Sequence, residues 1–475
     1  MAESGNRVRK LAKDVGVYAL GNIGSKLITF MMIPLYTYFI NAADFGYYDL
    51  CLNVIFLMVP FATLQLKDGS FRFLMDGSTE EDYTKVISVS FNLLFRSLLI
   101  FILIALVASF FIRIHYFGYS LLLLVSMSLF EIYGQVARGV RQTTVFVVSN
   151  IISAFSIGVF SVLFVVVLKM GLTGIFLANI VARIVAIVYI EIRLRLCIKY
   201  FKFSSRDSKL KKDLLAYSLP LLPGVICWWL TGSSDRFFIE HFLSLTDNGI
   251  YAVALRFVSI LQILATIFYQ AWQETALQQY GSQDRNVFFS DVFNGYIHLL
   301  SIIFVLFAFG LKLNYSWLVA PEYQESKVYL YPLGIAALLF ALSAFLDMGY
   351  QCARETAKTL PAIIVAAVAN VVLNYLLVPL LGIWGVVITA IVSYSILLGI
   401  RIHDMRRYFV LKFYLRSLWP LMVCLVGFVP FYLVDCWWLD ICYVLVALLV
   451  LAITLPVKLR SALQAKLFSK KRLQD

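Results

Sequence analysis

Two adjacent charged residues, Asp235 and Arg236, interrupt an apolar stretch of the sequence, CWWLTGSSDRFFIEHF, which runs from Cys227 to Phe242. A charged side chain at the centre of a membrane helix costs about 2.5–3.5 kcal/mol on insertion scales, so such residues usually face the protein interior or a water-filled cavity. Arginine binds phosphate through its planar fork of N–H donors. The pair therefore indicates either an anion site with an ion-carrying carboxylate beside it, or an ion pair between helices.

Other cations lie within apolar runs or at their ends, namely Lys26, Arg72, Arg96, Arg183 and Arg256. Lys26 lies about 16 Å into its run at 1.5 Å per residue, which is too deep for its ammonium to reach water easily. Together with Asp235 and Arg236, these residues include more bases than acids. A cavity lined by Lys and Arg favours an anionic substrate, and phosphate in particular.

Several of these charges also have structural interpretations. Arg96 lies early in its run, where its side chain can extend to the headgroup region. Arg183 can pair with Glu191, and Glu131 can pair with Arg138 at the inner end of the same run. These interpretations stay open at the level of sequence.

The composition is that of a polytopic membrane protein. Of 475 residues, 61% are hydrophobic and 14% are charged, whereas soluble domains have roughly 45–50% and about 25%. Because about 20 apolar residues form a helix that crosses the hydrocarbon core, we predict an all-α fold with about fourteen transmembrane helices. They are expected at roughly 15–40, 45–66, 87–112, 115–137, 143–168, 172–192, 214–240, 248–273, 287–311, 328–350, 359–380, 383–400, 414–434 and 438–456.

The basic residues predict the orientation. Of the 40, 31 fall in the termini and in every second loop, 4 in the other loops and 5 within the predicted spans. This positive-inside bias places both termini in the cytoplasm. The formal charge of +13 is thus a signal of topology, and no nucleic-acid partner is expected.

An internal repeat divides the chain. FINAADFGYY (Phe39–Tyr48) matches FLSLTDNGIY (Phe242–Tyr251), and GLTG (Gly171–Gly174) matches GIWG (Gly382–Gly385), at offsets of 203 and 211. The repeat predicts two parallel six-helix lobes around a central cavity, an arrangement of one class of secondary transporter. The predicted boundaries are 1–199 for the first lobe, 200–213 for a cytoplasmic linker, 214–402 for the second lobe, and 403–475 for helices 13 and 14 with a basic tail.

No enzyme signature is present. The loops are too short for a soluble catalytic domain, and no Gly-rich phosphate loop followed by Lys and Ser or Thr occurs. The seven cysteines show no metal spacing, so neither a metal nor a cofactor is expected. The energy source would be an ion gradient, the membrane potential or the substrate gradient.

Several stretches resemble a known superfamily, the multidrug/oligosaccharidyl-lipid/polysaccharide exporters, and within it the bacterial O-antigen and capsule (Wzx-type) flippases. The most specific are SSDRFFIEHFLSLTDNGIY (233–251) and FYQAWQETAL (268–277). More generic matches are NIGSKLITFMMIPLYT (22–37), DFGYYDL (44–50) and VANVVLNYLLVPLLGIWGVVITAIVSY (368–394). The resemblance extends over nearly the whole chain.

The resemblance implies that the protein flips polyprenyl-pyrophosphate-linked oligosaccharide units from the cytoplasmic to the periplasmic leaflet of the bacterial inner membrane, for polysaccharide biosynthesis. It implies alternating access around a cationic cavity. In this interpretation Lys26, Arg236 and Arg256 bind the pyrophosphate, and Arg72 and Arg96 lie at the cytoplasmic entry. The residues expected to carry the coupling ion, H⁺ or Na⁺, or to make the cavity polar are Asp235, Gln270 and Glu274.

The expected partners are the lipid-linked oligosaccharide, the bilayer, and the polymerase and chain-length proteins of a polysaccharide pathway. The alternative function is an ion-coupled multidrug or cation antiporter of the same superfamily, which would require carboxylates facing the cavity. A third function, a non-transporting scaffold of a polysaccharide assembly complex, predicts no movement of lipid-linked glycan between leaflets.

Overall fold

The computed structural model describes residue 28 and residues 31–77, 79–111, 115–201, 207–353, 355–433 and 436–454. In these residues the chain is helical and contains no strand. The predicted all-α polytopic membrane fold is confirmed. The helices cluster into two compact units, the first ending at Arg236 and the second beginning at Phe237.

The first unit includes a helical segment at 31–39. Its helices are α1 (Ala42–Ala62), α2 (Leu66–Asp76), α3 (Glu80–Phe111), α4 (Phe117–Gly139), α5 (Thr143–Ser161, continued by a π-helical turn at Val162–Val167), α6 (Gly171–Leu194), the single turn α7 (Leu196–Lys199), α8 (Ser208–Ser218) and α9 (Leu222–Ser233). The helix α10 (Asp235–Phe242) contains the point where the first unit ends.

The second unit continues with α11 (Leu245–Gln279), α12 (Arg285–Leu318), α13 (Lys327–Cys352), α14 (Leu360–Leu381), α15 (Ile383–Met405), α16 (Leu418–Val426), α17 (Phe428–Leu433) and α18 (Trp437–Thr454). Short 3₁₀ turns at Pro321–Ser326, Thr356–Thr359 and Leu415–Ser417 lead into α13, α14 and α16.

Eleven helices of the described residues are long and apolar enough to cross a membrane. They coincide with eleven of the fourteen predicted spans. Predicted span 1 (15–40) lies largely outside the described residues. Predicted span 7 (214–240) consists of α8, a 3₁₀ turn at Leu219–Leu221, α9 and the start of α10, and predicted span 13 (414–434) contains a shorter apolar helical stretch, Trp419–Tyr432.

The internal repeat is visible in the way two helices begin. The Asn41 side chain accepts a hydrogen bond from the Asp44 N–H at 2.7 Å and so caps α1. The Ser244 hydroxyl accepts one from the Asp247 N–H at 3.1 Å and caps α11. Asn and Ser are favoured at this position because their oxygens satisfy an N–H that the helix leaves unpaired. Both caps lie at the offset of 203, so the sequence match reflects one local structure used twice.

The glycine motifs of the repeat also form the same structure twice. Gly171 and Gly382 have φ angles of +57° and +61° just before or at the start of α6 and α15, a conformation that glycine adopts without steric cost. Three residues later, a Cβ on Gly174 would lie 3.1 Å from the Phe164 carbonyl group, and one on Gly385 would lie 2.5 Å from the Leu377 oxygen. Each second glycine therefore lets a helix pack directly on the backbone of the one before it.

The predicted lobe boundaries stay a prediction. Within the predicted linker, residues 208–213 form the first part of α8. This helix begins at the side chain of Asp207, which accepts a hydrogen bond from the Leu210 N–H at 2.9 Å.

Candidate functional site

Arg236 lies in a buried ion pair within the first unit. Its Nε donates to Asp49 Oδ2 at 2.9 Å, and one of its terminal nitrogens donates to the Gly232 carbonyl at 3.1 Å. The two charged side chains are 10% and 9% exposed. Asp49 belongs to α1, so the pair joins α1 to the end of α9 and the start of α10.

The Asp49 carboxylate also belongs to a longer polar chain. The Asn53 amide, one turn further along α1, donates to Asp49 Oδ2 at 3.2 Å and to the Asp49 carbonyl at 2.7 Å. The indole of Trp229 donates to the Asn53 carbonyl at 2.9 Å. Arg236 thus has the inter-helix ion pair that the sequence left open as the alternative to a free binding cation, and Asp235, its neighbour, is 5% exposed.

A second group of charges lies among α2, α4 and α6 of the first unit. The Lys67 ammonium is 2.9 Å from Glu131 Oε2, so Lys67 takes the place of Arg138, the partner that the sequence left open for Glu131. Arg138 instead donates to Gln135 at 3.0 Å. The Arg183 guanidinium lies within electrostatic range of Glu131. Two cations and one carboxylate leave this group with one positive charge in excess.

Arg183 is held by a neutral partner. One of its nitrogens donates to the backbone carbonyl of Asn179 at 2.8 Å and to the Asn179 amide oxygen at 3.1 Å. Glu191, the partner suggested by the sequence, accepts instead from the Cys197 N–H at 2.9 Å. Arg183 is half-buried near the middle of α6, which leaves part of its side chain accessible.

The remaining predicted site residues are dispersed in the structure. Arg72 is exposed and pairs with Asp76 at 2.6 Å, one turn along α2. Arg96 is exposed on α3 and lines a cleft of about 330 Å³ with residues of α8. Arg256 is half-buried in α11 of the second unit. Lys26 and the side chains of Gln270 and Glu274 lie outside the described residues.

The second unit contains two ion pairs that the sequence analysis did not predict, one buried and one partly buried. Lys312 of α12 lies 2.8 Å from Asp440 of α18, with 4% and 3% of the side chains exposed, and also donates to the Pro430 carbonyl at 2.8 Å. Arg401 of α15 lies 3.1 Å from Asp347 of α13. The Arg401 guanidinium also donates to the Ser343 carbonyl at 2.9 Å.

One residue of these ion pairs, not identified in the sequence analysis, could have been recognised from the sequence. Asp49 lies inside predicted span 2, and the cost of an intramembrane carboxylate marks it in the same way as Asp235. Asp440 and Arg401 lie at span ends, where charge is common and carries little information. The pairing of Lys312 with Asp440 joins residues 128 positions apart, which no local pattern shows.

The described residues contain no group of three or more His, Cys, Asp or Glu side chains that could hold a metal ion. What they provide is a membrane interior in which guanidinium and ammonium groups are bound to carboxylates, with Arg183 bound to an amide. In such an arrangement an anionic ligand can replace a carboxylate beside a Lys or Arg side chain without leaving that cation unpaired.

Comparison with known proteins places the chain in a family. The family model described as polysaccharide biosynthesis protein matches residues 11–273, more than half of the chain. A curated relative, the Lsg locus putative protein 1 of Haemophilus influenzae, is 24% identical over 290 residues, covering 56% of this chain and 68% of its own.

Two solved structures share the fold. The lipid II flippase MurJ in an inward closed conformation has a TM-score of 0.68 at 13% identity, covering 95% of this chain and 100% of its own. An inward-facing multidrug resistance MATE family transporter of the MOP superfamily has a TM-score of 0.63 at 15% identity, covering 82% and 98%. The resemblance read from the sequence motifs is confirmed, and the chain belongs to the polysaccharide biosynthesis protein family.

Proposed function

We propose that the protein flips polyprenyl-pyrophosphate-linked oligosaccharides from the cytoplasmic to the periplasmic leaflet by alternating access, for the synthesis of a surface polysaccharide. It acts as a transporter of the bacterial inner membrane, with both termini in the cytoplasm. Membership of the polysaccharide biosynthesis family and a fold shared with a lipid flippase support this proposal.

The observation that carries the proposal is the way in which membrane-interior carboxylates are neutralised. In the described spans, Asp49, Glu131, Asp347 and Asp440 each lie within 3.1 Å of a Lys or Arg nitrogen. Carboxylates held in this way do not attract a cationic drug. Arg183, by contrast, has an amide as its hydrogen-bond partner, so a phosphate oxygen can replace a neutral acceptor there without breaking an ion pair.

Arg183 therefore joins the cations predicted from the sequence, Lys26, Arg236 and Arg256, as a pyrophosphate ligand. For Arg236 the proposal includes an exchange. The incoming pyrophosphate takes the place of Asp49 on the guanidinium, and the released Asp49 carboxylate takes up the coupling proton or cation. A charge is thus never left unpaired in the membrane, which would cost several kcal/mol.

The other residues singled out from the sequence keep their predicted roles. Asp235 or Glu274 is a candidate for the coupling carboxylate, Gln270 for the polar lining, and Arg72 and Arg96 for the cytoplasmic entry. The polymerase and chain-length proteins remain the expected partners.

The second candidate function is an ion-coupled multidrug or cation antiporter, which the fold shared with MATE transporters favours. Resistance to cationic dyes on expression, without rescue of polysaccharide synthesis, would support it.

The test is a flipping assay in vesicles with a fluorescent polyprenyl-pyrophosphate glycan. We expect Arg183→Gln to slow flipping about tenfold to a hundredfold, because charge-assisted bonds contribute roughly 1.5–3 kcal/mol. Arg193→Gln, which removes an exposed charge from the same helix, should leave the rate unchanged.

A rate for Arg183→Gln equal to that of the natural protein would remove Arg183 from the proposed site. Failure of the natural protein itself to move the glycan, when it moves a cationic dye, would contradict the proposed function as a whole.

A further inference from the structure

The cleft of about 330 Å³ between α3 and α8 is lined by two cations. Arg96 projects from α3 and Lys211 from α8, and both are exposed. Neither side chain makes an ion pair or a hydrogen bond to another described residue. Val89 and Leu93 supply an apolar part of the lining, and Asn92 supplies an amide.

The depth of Arg96 on α3 identifies the level of the cleft in the membrane. From Ser97 to Phe111 the helix carries no charged residue, which makes Arg96 the last charge before the hydrocarbon core. These residues span about 22 Å, so a core of about 30 Å begins within reach of the long Arg96 side chain. Guanidinium groups in this position extend to the level of the lipid phosphates.

The face of α3 that carries Arg96 is a lipid-facing one. Residues three, four and seven positions further on are large and apolar, and each has more than half of its surface exposed: Leu99 (58%), Ile100 (58%) and Leu103 (53%). Because residues at these spacings share one side of a helix, Arg96 stands directly above an apolar stripe suited to acyl chains.

α8 is fixed in place by close packing against α2, so the cleft between α8 and α3 is a built feature of the first unit. Leu214 is fully buried, and a Cβ on Gly69 of α2 would lie 2.3 Å from the Ser218 hydroxyl oxygen, which shows how closely α8 approaches α2. Asp207, which also lines the cleft, uses a carboxylate oxygen to cap α8 at 2.9 Å. Two cations and one carboxylate give the cleft a net charge of +1.

The opposite side of α8 has the reverse character. A second cleft of about 390 Å³ on that side includes Asp76, Asp82 and Asp213 in its lining, beside Lys209. The carboxylates of Asp76, Asp82 and Asp213 thus lie on the side of α8 that faces away from the apolar stripe.

From these observations we propose that the α3–α8 cleft binds the phosphodiester headgroup of an anionic phospholipid. Arg96 and Lys211 bind the phosphate, Asn92 lies beside its oxygens, and the acyl chains follow Leu99, Ile100 and Leu103. The site is independent of the flipping function, and it gives Arg96 a role other than the substrate entry expected from the sequence. Cations at this level of a membrane protein are attracted to anionic headgroups.

The test is lipid binding by the full-length protein in detergent, followed by native mass spectrometry and by the melting temperature. The probes are dioctanoyl phosphatidylglycerol, dioctanoyl phosphatidylethanolamine and farnesyl pyrophosphate. We expect saturable binding of phosphatidylglycerol that raises the melting temperature, and at least tenfold weaker binding in the variant Arg96→Gln/Lys211→Gln. Lys209→Gln, on the opposite side of the same helix, should bind within twofold of the natural protein.

Three results would overturn the proposal. Equal losses in Lys209→Gln and the double variant would show diffuse attraction to the basic helix, and equal binding of phosphatidylethanolamine would show no preference for an anionic headgroup. Binding of farnesyl pyrophosphate that depends on Arg96 and excludes phosphatidylglycerol would return this residue to the entry role. Because both substituted side chains are exposed, the double variant should melt like the natural protein when no lipid is added.

Discussion

The two units share helix caps and close-approach glycines and differ in their buried charges. The caps at Asn41 and Ser244 and the glycine pairs at the starts of α6 and α15 recur at constant offsets. The buried Arg236–Asp49 ion pair does not recur. At the offset of 203, Arg236 corresponds to Ile33, which is 1% exposed.

This difference separates what builds the fold from what distinguishes the protein. Repeated caps and close-approach glycines specify helix ends and helix packing, which both halves of the chain need. Unrepeated charges are not needed by symmetry, so each requires a local reason. For Lys312–Asp440 the reason is the attachment of α18 to α12, whereas for Arg236–Asp49 we propose partner exchange with the substrate.

The largest predicted effect on stability is at Lys312–Asp440. Lys312→Met leaves Asp440, whose side chain is 3% exposed, without a cation, and loss of one partner of a buried pair costs about 3–5 kcal/mol. We expect a large fall in melting temperature in detergent. The double variant Lys312→Met/Asp440→Leu removes both charges and should recover most of it; no recovery would show that the pair itself is not the source of the loss.

An intermediate effect is expected at the repeated glycines. Gly385→Ala places a Cβ 2.5 Å from the Leu377 carbonyl oxygen, and such overpacking costs about 1–3 kcal/mol. Gly174→Ala, at 3.1 Å from Phe164, should lower the melting temperature in the same direction by less. The control is Gly399→Ala, also in α15, where a Cβ meets nothing within 4 Å; a loss there as large as at Gly385 would contradict close approach as the cause.

The smallest predicted effect is a dependence of the melting temperature on pH. It arises from the contact of Glu355 with Lys358 and Tyr408 in the second unit, which has no counterpart among the described residues of the first. Hydrogen bonds from the Lys358 ammonium at 2.8 Å and the Tyr408 hydroxyl at 2.6 Å lower the pKa of the Glu355 carboxyl. A lowered pKa in the folded state means that the contact stabilises above the usual value of 4.5 and is lost as the pH falls through the folded value. The melting temperature of the natural protein should therefore exceed that of Glu355→Gln at pH 7 by a small margin that disappears as the pH falls through the lowered pKa of Glu355. A constant margin would contradict the titration of Glu355.

The fold was largely predictable from the sequence because span length and glycine spacing are local signals. Eleven spans were placed correctly by these signals alone. Predicted span 7 is interrupted by a 3₁₀ turn at Leu219–Leu221, beside Pro220 and Pro223, which the sequence shows. A second interruption, at Ser234, has no proline beside it.

The site was less predictable, since a sequence shows which charges enter the membrane and not which charge each one meets. Asp235 and Arg236 were identified by their cost in the bilayer. The partner of Arg236 comes from α1, 187 residues away, and that of Glu131 comes from α2 instead of from Arg138 on its own helix. Such pairings follow from the crossing of helices.

The most direct test of the central claim compares two double variants in the same vesicle assay, each with both charges of a buried pair replaced by apolar residues. Lys312→Met/Asp440→Leu and Arg236→Met/Asp49→Leu should both fold and melt near the natural protein, because neither leaves an unpaired buried charge. The account predicts that the first moves lipid-linked glycan at nearly the natural rate and that the second loses at least tenfold. Natural flipping rates in both would contradict the claim that the unrepeated pair at Arg236 takes part in transport.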